Sequence, residues 1–321
     1  MQRTSVNYSK YGYIFCIPFV LAFLVFSLYP ILYTAVIGFT DLRGLGGGGG
    51  FHILLPDPLE NFKLILKNPS FITSLQNTAL IWIINFIPQI ALALLLTAWF
   101  TNSRLKVRGQ GAFKVLLYMP NIITAATIAI LFNSLFNYPL SPVNYLAVKL
   151  GFVSAPVNFL LQKWTARGIV SFIQFWMWYG NTMIVLIAGV LGISPAIFEA
   201  AAIDGATNVQ TFFRITLPSL RTILLYTLIT SMIGGLQIFD IPKLFLNGGP
   251  DNATLTTSVF IYNQAFSGSY LYNRAAAASL VMFGVIAVLS AMLFYIMRDR
   301  DAEKLKKEKK ALLKAAGRRA V

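Results

Sequence analysis

The chain has 321 residues, of which 57% are hydrophobic and 12% are charged. Soluble domains carry about 25% charged residues, so this composition excludes an ordinary soluble fold. The formal net charge is +15, which we attribute to membrane topology rather than to nucleic-acid binding. Cys16 is the only cysteine, which excludes an intrachain disulfide and a thiol metal cluster.

Long uncharged runs carry most of the hydrophobic residues. A helix crosses the hydrocarbon with about 20 residues, whereas spanning strands need about 9–11 residues of alternating character. The runs here are longer and apolar on all sides, and the first is too long for the core of a signal peptide. The sequence therefore predicts an all-α integral membrane protein with six transmembrane helices, at residues 11–39, 78–100, 115–136, 168–191, 222–239 and 275–297.

The distribution of basic residues predicts the orientation. The N-terminus, the 101–114 loop, the 192–221 loop and the tail carry 18 of the 26 Lys and Arg residues, and the other loops carry 8. Cytoplasmic segments are enriched in Lys and Arg, so we expect both termini in the cytoplasm. We treat residues 1–297 as one transmembrane domain, followed by a basic cytoplasmic tail at 298–321, which is suited to contact anionic lipid.

The loop at 192–221, between the fourth and fifth predicted helices, is polar and interrupted by helix breakers. Ser194 and Pro195 are suited to cap and begin a short helix over Pro195–Ile203, which Gly205 would end. Thr207 and Gln210 have the spacing of a capping box, and the second short helix would stop at Pro218. Two capped helices with exposed Phe residues favour a docking surface over a simple solvated turn.

Two sets of residues carry a resemblance to a known family. They are Glu199-Ala200-Ala201, Gly205, Ile215, Leu217 and Pro218 in the loop, with Leu59-Glu60-Asn61-Phe62, Asn247-Gly248-Gly249-Pro250, Thr254 and Tyr272-Asn273-Arg274 elsewhere. The loop resembles the EAA loop of the membrane subunits of ABC importers, and the other segments resemble the carbohydrate-uptake permeases among them. The similarity extends from about residue 11 to residue 297.

The resemblance implies a bacterial cytoplasmic-membrane permease for a sugar or oligosaccharide, working by alternating access. Its implied partners are a second homologous permease, two ATPase subunits that bind ATP and Mg²⁺, an extracytoplasmic solute-binding protein and membrane lipid. The chain has no Walker A sequence, so we expect no cofactor in it and no enzyme activity of its own. The loop residues that the resemblance assigns to coupling with the ATPase are Glu199, Ala200, Ala201, Asp204, Gly205 and Pro218.

Polar residues in the fourth and fifth predicted helices are candidates for the substrate path. Gln174, Trp178 and Asn181 stand at i, i+4 and i+7, hence on one helix face, with Trp178 about 15 Å from the end of the helix. Amides bind hydroxyl groups, and an indole ring stacks on a sugar. Ser231 joins this group on the fifth helix, with Gln237 and Asp240 toward its outer end.

Alternatives remain open for several of these residues. Amides also join helices, and Trp also packs against lipid. Asn85 and Gln89 flank Pro88, where they either satisfy a kinked helix or contact ligand. Asp240 is either interfacial or a site for a cation or substrate. No His, Cys, Asp and Glu residues have the spacing of a metal site, so we expect no metal.

The main alternative function is an ion-coupled secondary transporter for a small polar solute. That class favours titratable groups at the middle of the membrane. The six predicted spans contain no Asp, Glu, His, Lys or Arg, and Asp240 only borders the fifth. The resemblance of the 192–221 loop also favours the ATP-driven importer.

The coupling role of the loop predicts the effect of two substitutions. Glu199→Lys reverses a charge that would contact the ATPase, and Gly205→Pro alters the loop backbone. We expect either change to abolish ATP-driven uptake and to leave membrane insertion intact. Uptake by membrane vesicles and the amount of inserted protein measure the two effects. Normal ATP-coupled uptake by these variants would contradict the assignment.

Overall fold

A computed structural model describes residues 9–44, 51–54, 56–102, 108–268 and 270–297. The glycine run at 46–50 and the basic tail at 298–321 lie outside the described residues. In the described part, the regular secondary structure is helical, as the sequence predicts. The α-helices are α1 (Ser9–Phe23), α2 (Tyr29–Ile37), α3 (Glu60–Leu66), α4 (Pro69–Phe100), α5 (Gln110–Tyr118), α6 (Ala125–Phe136), α7 (Pro142–Lys149), α8 (Lys163–Leu191), α9 (Pro195–Ile203), α10 (Asn208–Thr211), α11 (Leu217–Ser219), α12 (Arg221–Leu236), α13 (Asp240–Leu246), α14 (Thr257–Phe266) and α15 (Tyr272–Met297).

Within the described ranges, five helical segments are long and apolar enough to cross a membrane. A bent pair of helices raises the number to six if it forms one span. The first segment joins α1 to α2 through a π-helix at Leu24–Leu28. These segments confirm a multi-pass helical membrane protein. Their bounds are Tyr11–Ile37, Pro69–Phe100, Lys163–Leu191, Arg221–Leu246 and Tyr272–Met297.

The third predicted helix, at 115–136, is not continuous. Gln110–Asn121 and Ala125–Phe136 meet at an angle of 87°. Pro120 lies in the short 3₁₀ segment that ends the first helix, and proline cannot supply the backbone N–H that a helix needs. The Thr124 side chain then accepts a hydrogen bond from the backbone N–H of Thr127 and caps a new helix. The prediction of one uninterrupted helix is therefore wrong.

The fifth predicted helix, at 222–239, is shorter than predicted, and the candidate span Arg221–Leu246 continues beyond it into α13. Helix α12 ends at Leu236, and α13 begins at Asp240. The Thr256 hydroxyl donates to the Ile238 carbonyl at 2.9 Å, and the Ser258 hydroxyl donates to the Gln237 carbonyl at 3.1 Å. These bonds satisfy carbonyl groups in the break, which a hydrophobic environment requires.

Helices α4 and α8 form the centre of the bundle. Buried side chains of α4 pack against α8 in two hydrophobic clusters. One cluster also includes Leu224 of α12, and the other includes residues of α6 and α13. Gly180 brings α8 against α5, because a Cβ placed on Gly180 would lie 2.9 Å from the Tyr118 Cα. Small residues allow helix backbones to approach closely, so the bent third segment is fixed against α8.

Arg167 ties the loop at 247–256 to the bundle. Its Nε donates to the Ala253 carbonyl at 2.9 Å, and its Nη2 donates to the Asn77 Oδ1 at 2.8 Å. The Asn77 Nδ2 donates to the carbonyls of Asn252 and Leu255. Asn61 of α3 joins the segment after α2 to the start of α15. Its Nδ2 donates to the carbonyls of residues 38 and 40, and its Oδ1 accepts from the Asn273 side chain.

A matched pair of glycines on α8 tests the packing at the centre of the bundle. Gly180→Ala places a methyl group against the α5 backbone, which should destabilise the protein by about 1–3 kcal/mol. Gly168→Ala is the control, because a Cβ on Gly168 has no atom within 4 Å, and alanine favours a helix by up to about 1 kcal/mol. Thermal unfolding in detergent measures both changes. Equal stability of the two variants would contradict the proposed packing.

Candidate functional site

A polar cavity of about 360 Å³ lies between α4, α8 and α12. Its wall consists of amides, hydroxyls, aromatic rings and small or apolar residues, and no charged residue lines it in the described structure. The lining residues are Asn85, Gln89, Gln174, Trp178, Asn181, Thr182, Val185, Tyr226, Thr227, Thr230, Ser231, Gly234 and Gly235.

The structure brings together four of the six residues proposed for the substrate path. Gln174, Trp178 and Asn181 line the cavity from α8, and Ser231 lines it from α12. Gln174 is 9% exposed, whereas Trp178 is 46% exposed. The face of α8 predicted from the i, i+4, i+7 spacing is therefore the face that forms the cavity wall.

The other two proposed residues, Gln237 and Asp240, do not line this cavity. Gln237 follows the last residue of α12, and Asp240 begins α13. In a regular helix these two residues would lie about 120° and about 180° around the axis from Ser231, so they are not expected on the cavity face. Ile238, between the two helices, is buried in the hydrophobic cluster formed with α6 and α8.

Gln89 joins the three helices of the cavity. Its Nε2 donates to the Thr182 Oγ1 at 2.8 Å and to the Ser231 Oγ at 3.2 Å. Thr182 in turn donates to the Trp178 carbonyl at 3.2 Å. Gln89 is 4% exposed. It therefore acts as a link between helices and also forms part of the cavity wall.

The hydrogen bonds of Asn85 and Gln89 do not repair the backbone at Pro88. Pro88 lacks the N–H that would bond the carbonyl of residue 84, but the Asn85 Nδ2 donates to the Ile81 carbonyl at 2.9 Å. Both side chains line the cavity. Contact of Asn85 and Gln89 with a ligand stays a proposal.

Sequence reasoning missed the contribution of α12 beyond Ser231. Tyr226, Thr227 and Thr230 also line the cavity. Residues 227, 230, 231 and 234 have the i, i+3, i+4, i+7 spacing of one helix face, and three of the four are hydroxyl residues. That spacing could have identified the face from the sequence.

The loop between α8 and α12 has the two short helices that the sequence predicts. Helix α9 covers Pro195–Ile203, and Gly205 has φ +74°, a backbone conformation that glycine adopts without strain. The Thr207 and Gln210 capping box is present in full. The expected Ser194 cap is absent, because the Ser194 side chain makes no capping hydrogen bond.

The second part of the loop does not stop at Pro218. Helix α10 passes into a π-helix at Phe212–Thr216, and α11 continues to Ser219. Pro218 therefore lies inside a continuous helical stretch that ends at Ser219, one residue beyond the predicted end.

The residues proposed for coupling lie mainly on the exposed surface of the loop. Ala201 is the buried member of this set, at 6% exposure. The other proposed residues are exposed, as are apolar side chains nearby, including Ile203 at 86% and Phe213 at 61%. The exposed members of the proposed set are Glu199, Ala200, Asp204, Gly205 and Pro218.

The base of the loop is packed into the bundle. Leu220 is fully buried with Leu186 and Val190 of α8, and Phe198 packs against the same cluster. The Arg221 Nε donates to the Met297 carbonyl at the end of α15, at 2.9 Å. A displacement of the loop would therefore be transmitted to the helices that form the cavity.

These features define a class of protein: a multi-pass helical membrane protein with an uncharged polar cavity and an exposed loop joined to the cavity helices. Such an arrangement is suited to solute transport. Comparison with known proteins identifies the family. The chain belongs to the family of binding-protein-dependent transport system inner membrane components, whose family model matches residues 64–304.

Curated relatives extend over nearly the whole chain. The chain is 33% identical over 303 residues to the lactose transport system permease protein LacF of Rhizobium radiobacter, covering 93% of this chain and 98% of the relative. It is 35% identical over 290 residues to the arabinooligosaccharides transport system permease protein AraP of Bacillus subtilis (strain 168), covering 88% of each chain.

Solved structures share the fold. A chain of a bacterial ABC transporter involved in the import of the acidic polysaccharide alginate matches with a TM-score of 0.75 and 22% identity, covering 91% of this chain and 96% of that chain. Another, from an alginate ABC transporter in complex with its pentasaccharide-bound periplasmic protein, matches with a TM-score of 0.72 and 24% identity, covering 92% and 98% of the two chains.

Family membership confirms that this chain is the membrane-spanning permease component of a binding-protein-dependent ABC transport system, located in the inner membrane. Members of this family are transport components and not enzymes. The ATP-driven importer is therefore supported over the ion-coupled transporter.

Labelling of two cysteine substitutions tests whether water reaches the cavity. In a Cys16→Ser background, Asn181→Cys places a thiol in the cavity wall, and Val288→Cys places one on an exposed apolar position of α15. Only the thiolate reacts, and it forms readily only where water is present. We expect a charged thiol reagent to label Asn181→Cys in membrane vesicles and to leave Val288→Cys unlabelled. Equal labelling rates would contradict an aqueous cavity.

Proposed function

We propose that this permease subunit translocates a neutral sugar or oligosaccharide by alternating access. The observation that carries the proposal is the uncharged cavity between α4, α8 and α12. Amides and hydroxyls in its wall suit the hydroxyl groups of a sugar. The exposed rings of Trp178 and Tyr226 supply apolar faces on which the C–H side of a sugar can stack.

The charge of the wall bears on the substrate class. An acidic or phosphorylated ligand favours Arg or Lys at its binding site, and no basic residue lines the cavity in the described part of the chain. The named relatives transport lactose and arabinooligosaccharides, which are neutral. The solved alginate importers take an acidic polysaccharide, but their low identity to this chain relates the folds alone.

We assign the coupling function to the loop at 192–221. The exposed carboxylates of Glu199 and Asp204, with Ile203 and Phe213 beside them, offer a mixed charged and apolar surface to a cytoplasmic ATPase. ATP-driven closure of two ATPase subunits, which would hold ATP and Mg²⁺, moves this loop. The buried contacts of Leu220 pass the movement to α8 and α12, and the bundle changes the side to which its cavity opens.

The orientation and the remaining partners follow from the same assignment. The loop faces the cytoplasm together with both termini, in agreement with the excess of basic residues on that side.

One subunit provides half of the pathway, so a second, homologous permease completes it. A solute-binding protein delivers the sugar to the opposite surface.

Transport by the purified complex tests the substrate class and the energy source. The complex, purified from its native membrane with its binding protein, would be reconstituted in liposomes with labelled lactose, arabinooligosaccharides and an oligouronate. We expect uptake of a neutral sugar that requires ATP. Uptake driven by a proton gradient without ATP would contradict the proposal and support the secondary transporter, and exclusive uptake of the oligouronate would contradict the neutral class.

A pair of leucine substitutions tests the cavity in the same assay. Gly234→Leu projects a side chain into the cavity, because a Cβ at Gly234 has no atom within 4 Å. Obstruction of a binding site costs about 1–3 kcal/mol, which corresponds to a loss of uptake between about 5-fold and about 150-fold. Gly284→Leu is the control, since Gly284 is exposed on α15 and equally unobstructed. Equal uptake by both variants would place the sugar outside this cavity.

A further inference from the structure

A second cavity lies away from the proposed sugar site, between α2, α14 and α15. It is an open groove of about 570 Å³. Its wall is mainly apolar and includes Ile37 of α2, Ile261 of α14 and Ala276 of α15. None of its lining residues belongs to the polar cavity. The sugar-transport function therefore leaves this groove without a role.

The groove occupies one end of the membrane-spanning region. Along α15 it extends from Tyr272 to Ser279, which corresponds to about 10 Å of helix. The hydrocarbon is about 30 Å thick, so the groove lies within a single leaflet. Tyr33, Phe266 and Tyr272 line it, and aromatic residues of this kind are enriched where the hydrocarbon meets the lipid headgroups.

Arg43 lies at the end of the groove and is held there by the backbone. The Asn273 N–H donates to the Leu42 carbonyl at 3.1 Å, and the Gly44 N–H donates to the Tyr270 carbonyl at 2.9 Å. These bonds fix the chain on both sides of Arg43 over the start of α15. Arg43 is exposed and forms no ion pair within the described residues. The nearby Asp41 carboxylate contacts His52, at 3.7 Å.

We propose that this groove binds an anionic glycerophospholipid. The phosphate of the headgroup pairs with Arg43, and one acyl chain lies in the apolar groove against Ile37, Ile261 and Ala276. The guanidinium group is suited to bind phosphate through paired hydrogen bonds. The apolar groove matches the acyl chain of a phospholipid, and Arg43 at its outer end matches the headgroup phosphate. The two parts of a phospholipid have this same order across a leaflet.

Photolabelling tests this site in the complete transporter. The complex would be purified with the full-length chain and placed in nanodiscs that contain photoactivatable phosphatidylglycerol or phosphatidylcholine, with the reactive group in the acyl chain. Labelled peptides would be mapped by mass spectrometry. We expect phosphatidylglycerol to label the segments at 33–43 and 261–279 in preference to the exposed surface of α1.

Two substitutions test the charge of Arg43 and the apolar groove separately. Arg43→Gln should lower the preference for phosphatidylglycerol over phosphatidylcholine about fivefold, which is the effect of one basic residue near an anionic lipid. Ser279→Phe fills the groove and should reduce labelling by both lipids. Lys149→Gln removes a positive charge from an exposed residue outside the groove and should change neither.

Several results would overturn the proposal. Uniform labelling along α1 and the groove would show that no lipid is selected, and an unchanged preference in Arg43→Gln would exclude a role for its charge. Crosslinks from the groove to another protein chain in place of lipid would show that a subunit occupies it. Sugar uptake is measured separately, so failure of this proposal and failure of the transport assignment are distinguishable.

Discussion

The hydrogen bonds of Gln89 hold together the three helices on which the proposed transport site depends. The hydrocarbon of a membrane offers no water to polar side chains, so each of them needs a partner within the protein or a wet cavity. Gln89 bonds Thr182 of α8 and Ser231 of α12 from its place on α4. The same contact therefore satisfies buried polar groups, sets the separation of the helices and forms part of the cavity wall.

This arrangement connects the cavity to the exposed loop through rigid elements. Helix α8 carries Trp178 in the cavity and Val190 in the cluster that buries Leu220 at the base of the loop. Helix α12 begins directly after Leu220 and carries Ser231 farther along. A movement of the loop would thus reach two walls of the cavity within continuous helices. This geometry supports a mechanical role for the loop and requires no chemical step in this subunit.

The multi-pass helical fold could be predicted because long apolar runs have few stable structures in a membrane. The face of α8 that carries Gln174 and Asn181 could be predicted as well, since a continuous helix preserves its 3.6-residue period. Helix α9 and the Thr207 capping box agreed with the sequence because their signals are local. In each of these cases, neighbouring residues along the chain determine the result.

The errors have two sources: Pro120, a local signal that a search for apolar runs passes over, and contacts with distant segments. The bend after Pro120 is fixed against α8 at Gly180, and the break after Leu236 is stabilised by Thr256 and Ser258 from a later segment. Such contacts between segments cannot be derived from apolar runs alone. Gln237 and Asp240 lie outside the cavity, as the 3.6-residue period alone would have indicated, because they stand about 120° and about 180° around the helix from Ser231.

Co-purification from the native membrane tests the central claim most directly, because the account treats this chain as one half of an ATP-driven pathway. The tagged chain would be solubilised gently, its partners identified, and ATPase activity measured in the purified material. The account predicts recovery of an ATPase and a second permease, with ATP hydrolysis. Recovery of this chain alone, without ATPase activity but with proton-driven uptake in vesicles, would contradict it.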